Sequence, residues 1–169
     1  MKETEAFGRA KTACLRLLSI RARSRAELQE RLKKKGFSAG TIRSVLAELR
    51  RMGLVNDKEF ARVWVESRLR SKPAGAAALR WGLQRHGVSE KIAAAAVKDA
   101  IGEEDELSLA LELGRDRLRR IRVEKQSSKS YSKREFERVG RFLAGRGFPY
   151  AIVRQVINKL SGEEVEDGP

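Results

Sequence analysis

One cysteine, one histidine and three prolines in 169 residues leave little room for several kinds of protein chemistry. Cys14 has no second cysteine to pair with, so no internal disulfide is expected, which suits a reducing cytoplasm. One Cys and one His do not assemble an ordinary Cys/His zinc site. No P-loop occurs, so nucleotide binding of that kind is not expected. No paired set of carboxylates stands out for acid–base work. The N-terminus lacks a leader-like hydrophobic stretch, and no apolar run approaches the roughly 20 residues that span a bilayer. Strand-like alternation with period two is also missing. The expectation is a cytoplasmic, non-enzymatic chain without cofactor, metal or membrane association.

Basic charge is abundant. Lys and Arg number 37 against 23 Asp and Glu, a formal net charge of +14. A surplus of that size attracts polyanions, with nucleic acid first and a membrane surface or an acidic protein next. The plainer alternative is charge that serves solubility alone. The distribution is uneven: residues 1–55 hold 14 basic against 5 acidic groups, while the last eight hold four acidic groups and no basic one. Frequent Leu, Ala, Arg, Lys and Glu, with little proline, favour helix over strand.

An internal repeat organises the chain. Lys35-Gly36-Phe37-Ser38, His86-Gly87-Val88-Ser89 and Arg146-Gly147-Phe148-Pro149 share one pattern. Each reads as a helix stop followed by a helix start: Gly takes the left-handed conformation, Ser caps, and Pro is tolerated in a first turn. Apolar residues keep register around each glycine. Before it stand Leu28 and Leu32, Leu79 and Leu83, Val139 and Leu143. After it stand Ile42, Val45, Leu46 and Leu49; Ala93, Ala96, Val97 and Ala100; and Val153, Val156, Ile157 and Leu160. Offsets of this kind are one helix face on each side of a turn. A further helix precedes each pair: about 6–22, one capped at Asn56-Asp57, and one starting in the acidic cluster 103–106. The expected architecture is all-α, with three tandem three-helix repeats at 6–55, 56–102 and 103–161. A Ser/Lys-rich insert near 124–132 and an acidic flexible tail at 162–169 complete it.

Cations recur in every repeat. Arg21, Arg23 and Arg25 flank Ser24, Lys33, Lys34 and Lys35 end a helix, and Arg43, Arg50 and Arg51 decorate the next. Arg62, Arg68, Arg70 and Lys72 follow in the second repeat. Arg115 to Arg122 and the set Lys133, Arg134, Arg138, Arg141 and Arg146 follow in the third. Arg134, Arg138 and Arg141 share one helix face, and such a face tracks a phosphate backbone through planar guanidinium forks. Taken singly, each residue reads rather as part of a solvated outer face; taken together, the recurrence points to polyanion contact without a base code. His86 reads as a basic surface or helix-end residue, Cys14 as a buried small hydrophobe, and the acidic cluster as charge compensation at a helix start. Trp64 reads as core. Trp81 is left between packing and stacking on a base.

The ordered segments also resemble a known family. Arg21-Ala22-Arg23-Ser24-Arg25-Ala26-Glu27-Leu28, Lys33-Lys34-Lys35-Gly36-Phe37, and Leu49 through Asp57 leading into Phe60-Ala61-Arg62, Trp64-Val65 and Arg68 resemble the RecX family. Arg141-Phe142-Leu143 with Arg146-Gly147-Phe148 is similar to that family's third repeat, so the likeness covers roughly residues 9–160. It implies tandem three-helix repeats forming an elongated, curved body. It also implies regulation, mainly inhibition, of RecA recombinase through the RecA–single-stranded-DNA filament, within DNA repair and the SOS response. The partners implied are RecA and single-stranded DNA, with duplex DNA left open, and the chain is expected to be a monomer. In this frame Arg21, Arg23, Arg25, Lys33–Lys35, Arg43, Arg62, Arg68, Arg70, Lys72, Arg134, Arg138, Arg141 and Arg146 form the filament-facing set. The stretch Lys72-Pro73-Ala74-Gly75-Ala76-Ala77-Ala78 departs from the family pattern, and its helix is expected to carry less surface charge. Alternatives are a helix-turn-helix transcription regulator, a nuclease or helicase accessory, and a general nucleic-acid-binding protein.

Overall fold

The computed structural model describes residues 2–125 and 131–166. Among them are nine helices and no strand: α1 (Lys2–Ile20), α2 (Arg25–Lys34), α3 (Ala39–Arg51), α4 (Asp57–Ser71), α5 (Ala76–Arg85), α6 (Glu90–Ala100), α7 (Glu103–Lys125), α8 (Lys133–Gly145) and α9 (Tyr150–Glu166). The all-α repeat expected from the sequence is present. Of the insert, residues 126–130 lie outside the described residues, as do 167–169 of the tail. Helix α9 continues through Glu166, past Gly162, because Glu-Glu-Val-Glu contains neither glycine nor proline.

The turns follow from the glycines. Gly36, Gly87 and Gly147 have φ of 81°, 74° and 81°, the left-handed region that costs a non-glycine residue about 1–2 kcal/mol. Each closes its helix with the same two bonds. The Gly36 N–H donates to the Lys33 carbonyl at 2.9 Å and the Phe37 N–H to Leu32 at 3.3 Å. Gly87 with Val88, and Gly147 with Phe148, repeat the pattern. After the first turn, the Ser38 hydroxyl accepts from the Thr41 N–H at 3.1 Å and starts α3.

Contacts gather into two compact units, Met1–Glu66 with Arg80–Ala96, and Ser67–Leu79 with Val97–Pro169. The division runs through α4, α5 and α6. In the first unit, α1, α2 and α3 pack around Cys14, Leu28, Leu32, Val45 and Leu49, all fully buried. In the second, α7, α8 and α9 pack around Ala110, Ile121, Val139, Leu143 and Val156, also fully buried. Each buried Leu or Val contributes about 1.5–3 kcal/mol relative to exposure. The register around the turn glycines is buried throughout, except for half-buried Ala96 and Ile157 and exposed Ala100. Burial pushes the Cys14 thiol pKa up, so the thiolate is disfavoured, as expected of a small hydrophobe.

Each unit contains the same kind of joint. In the first, the start of α2 meets the turn at Gly87: the Ser24 hydroxyl donates to the His86 carbonyl at 2.5 Å, and the Arg25 N–H donates to Asp57 Oδ1 at 2.7 Å. A Cβ on Gly87 would collide with Cβ of Ala26. In the second, the start of α5 meets the turn at Gly147: the Gly75 N–H donates to the Arg146 carbonyl at 2.9 Å, and the Ala76 N–H to Glu106 Oε1 at 2.8 Å. A Cβ on Gly147 would lie 2.5 Å from Cβ of Ala78. An acidic residue near the start of a later helix thus caps an earlier one. That revises the reading of the acidic cluster for Glu106, which is buried and serves α5 rather than its own helix end.

Candidate nucleic-acid interface

The cations of the first unit divide by what they touch. Arg21, on the link between α1 and α2, holds Glu27 through two bonds of 3.2 and 2.7 Å. Arg23 is half-buried and its Nε donates to the Leu17 carbonyl at 3.3 Å. The hydrogen bond to Glu27 raises the Arg21 pKa, while desolvation lowers that of Arg23. Arg62 lies between Glu59 and Glu66, at 2.7 and 2.6 Å, and the hydrogen bond to Glu59 leads the causes that raise its pKa. In contrast, Lys33, Lys34 and Lys35 project from the end of α2 into solvent, Lys34 with Glu30 at 3.5 Å. Arg43 is exposed on α3 and Arg25 at the start of α2.

Arg25 also lines an open groove of about 690 Å³ with Gln29, Arg50, Lys58 and Ser89, beside Asp57. The starts of α2 and α4 border it, and the partial positive charge of helix N-termini adds to that of the three cations. Lys58 was not among the residues expected from the sequence. Its only signal was its place directly after the Asn56-Asp57 cap, whose Asn56 Oδ1 accepts from the Lys58 N–H at 3.0 Å.

In the second unit, Arg70 and Lys72 are exposed at the end of α4 and just beyond it, with Arg68 half-buried. Helix α8 carries Arg134 and Arg141 in solvent and Arg138 half-buried, on the face expected from their spacing. Arg146 is turned inward. Its Nη1 donates to the Pro73 carbonyl at 2.7 Å, and its guanidinium lies 4.9 Å from the centre of the Phe142 ring. On α7, Arg119 pairs with Asp116 and Arg122 stacks 4.2 Å over Tyr131.

His86, expected at the surface or at a helix end, stands directly after α5, at the helix end. It is half-buried, its Nδ1 lies 3.3 Å from Glu27 Oε1, and its ring meets Phe60 and Trp64 edge-on, each with centroids 5.6 Å apart. Helix α5 starts within the stretch that departs from the family pattern. Its first turn is uncharged, but Arg80 and Arg85 stand exposed further along it. Among the described residues, no group of three or more His, Cys, Asp or Glu is arranged to hold a metal ion. No helix among them is long and apolar enough to cross a membrane.

Comparison with known proteins matches two family models: "RecX, first three-helix domain" over residues 10–49 and "RecX, second three-helix domain" over residues 56–97. The chain is 37% identical over 164 residues to the regulatory protein RecX of Amycolatopsis mediterranei, covering 94% of this chain and 89% of that protein. It is 35% identical over 157 residues to the regulatory protein RecX of Mycolicibacterium smegmatis, covering 93% and 82%. The crystal structure of RecX from Lactobacillus salivarius superposes with a TM-score of 0.79 at 20% identity, covering 93% of this chain and 97% of that one, a likeness of fold.

Proposed function

The chain belongs to the RecX family of regulatory proteins, and from that premise we propose that it regulates RecA recombinase by binding the RecA–single-stranded-DNA filament. In this reading it acts in the cytoplasm, limits filament growth, and thereby reduces ATP hydrolysis, strand exchange and SOS coprotease activity. The observation that carries the proposal is the display of solvent-exposed cations on both units: Arg25, Lys33–Lys35 and Arg43 on one, Arg70, Lys72, Arg134 and Arg141 on the other. Such groups neutralise phosphates without reading bases. Arg62, Arg68 and Arg138 join the contacting set, with Arg62 exchanging its exposed carboxylate partners for phosphate. Arg21, Arg23 and Arg146 contribute chiefly by fixing the helix starts and turns that present their neighbours.

Regulation then follows from differential affinity. A protein that binds one filament state more tightly shifts the population toward it by no more than that difference. Inhibition requires a preference for a filament state that hydrolyses ATP or grows more slowly. The test is RecA ATP hydrolysis on single-stranded DNA with this chain titrated in. Inhibition is expected at ratios near one per RecA protomer or below, and unchanged hydrolysis at such ratios would refute the proposal.

A further inference from the structure

We propose that the exposed face of α5 bearing Trp81, Arg80 and Arg85 is a stacking platform for an unpaired nucleobase of single-stranded nucleic acid. The chain has two tryptophans, and they are used differently. Trp64 is half-buried, edge-on to His86 and so close to Gly82 that a Cβ there would strike its ring. Trp81 is 60% exposed, and the Arg85 guanidinium lies over its ring at 4.8 Å from the centre. Arg80 and Gln84, neighbours of Trp81 on the same helix, are exposed too.

A single exposed aromatic residue carries no message by itself. Three further features give this one a ligand. The cation over the ring fixes its orientation, and most of the indole remains accessible. Helix α5 holds two exposed arginines and no acidic residue, so the charge that the helix itself places around the ring is positive. The neighbouring carboxylate, Glu90, is engaged by the Gln84 amide. The complementary ligand is a polyanion that also offers π-faces, and single-stranded DNA has both: a base for the indole and flanking phosphates for Arg80 and Arg85. Every base has a π-face, so such a platform adds affinity without adding sequence preference.

The inference deepens the DNA-contact part of the proposed function and rests on it, so the experiment reads bare DNA and RecA activity separately. The full chain is titrated with oligo(dT) and with an abasic oligomer of equal length, which keeps the phosphates and lacks the bases. Binding is followed by anisotropy of labelled DNA and by tryptophan fluorescence. Oligo(dT) is expected to quench the wild-type emission, and Trp81→Phe to remove the quench while keeping affinity within about threefold. Trp81→Leu is expected to weaken oligo(dT) binding about tenfold, to the level at which wild type binds the abasic strand. Equal wild-type affinity for the two oligomers, or unchanged oligo(dT) binding by Trp81→Leu, would overturn the platform. So would a Trp81→Leu defect confined to RecA-coated DNA, which would make Trp81 a protein contact. Inhibition of RecA by a wild-type chain that does not bind bare DNA would defeat this inference and leave the functional reading standing. Loss of both activities in the wild-type chain would defeat the two together.

Discussion

Glu27 ties together groups far apart in the chain. Its carboxylate accepts from the Ser24 N–H at 3.2 Å, completing a capping box, while Arg21 grips it from one side and His86, 59 residues away, lies against it on the other. Burial acts to raise its pKa, but the Arg21 hydrogen bond, the Ser24 N–H and the charges of Arg21 and His86 outweigh that and hold it below the usual range. A carboxylate depressed on folding stabilises the native state above its unfolded value of about 4.3, and the benefit is lost as pH falls through the folded value. Glu27→Gln is therefore expected to cost about 1–2 kcal/mol at pH 7. The gap to wild type should close in urea melts taken at successively lower pH through the acid range. A gap independent of pH would show that the charge contributes nothing. From the sequence Ser24 reads only as a residue flanked by arginines, although Ser24-x-x-Glu27 has the spacing of a capping box, a purely local signal. The partnership with His86 leaves no such signal, because periodicity registers neighbours within a few turns and says nothing of residues brought together by tertiary packing.

Turns and register were the legible part of the fold at the scale of elements. A glycine in fixed phase with flanking apolar residues constrains a helix end and two buried faces at once, so the helix pairs could be read without a structure. The joints were not legible, since Gly87 and Gly147 look no different from Gly36 in sequence. All three have positive φ, yet only Gly87 and Gly147 lie where an added Cβ meets another helix; around Gly36 nothing lies within 4 Å. Gly36→Ala is expected to cost about 1–2 kcal/mol, the backbone penalty alone. Gly87→Ala must in addition displace Ala26, and is expected to cost at least about 1 kcal/mol more, with a correspondingly lower denaturation midpoint. Equal losses for the two variants would mean that the α2 start yields freely and the joint is soft. Glu106 behaves likewise: an acidic residue at the start of one helix reads as serving that helix, but tertiary packing sets it at the start of α5, where it accepts from the Ala76 N–H.

For the whole molecule, the net charge of +14 raises the expectation of a polyanion partner but does not say which cations are free to meet it. Ion pairing and backbone capture divide the set: Arg21, Arg23 and Arg146 are bound into the fold, whereas Lys33, Lys35, Arg134 and Arg141 stand in solvent. These last four give a test of whether both units engage the filament. Each phosphate neutralised on single-stranded DNA adds about 0.7 to the steepness of log affinity against log salt. Lys33→Glu with Lys35→Glu, on the first unit, and Arg134→Glu with Arg141→Glu, on the second, are each expected to lower that slope by about 1.4. Because the two units are covalently linked, simultaneous engagement makes the second contact intramolecular, and avidity of that kind reaches about 10²–10⁴. Either pair of substitutions should then cost well over tenfold in affinity for RecA-coated DNA at moderate salt, as measured by anisotropy. If one pair were silent in both slope and affinity, the filament would be held by a single unit, and the cations on the other would serve solubility alone.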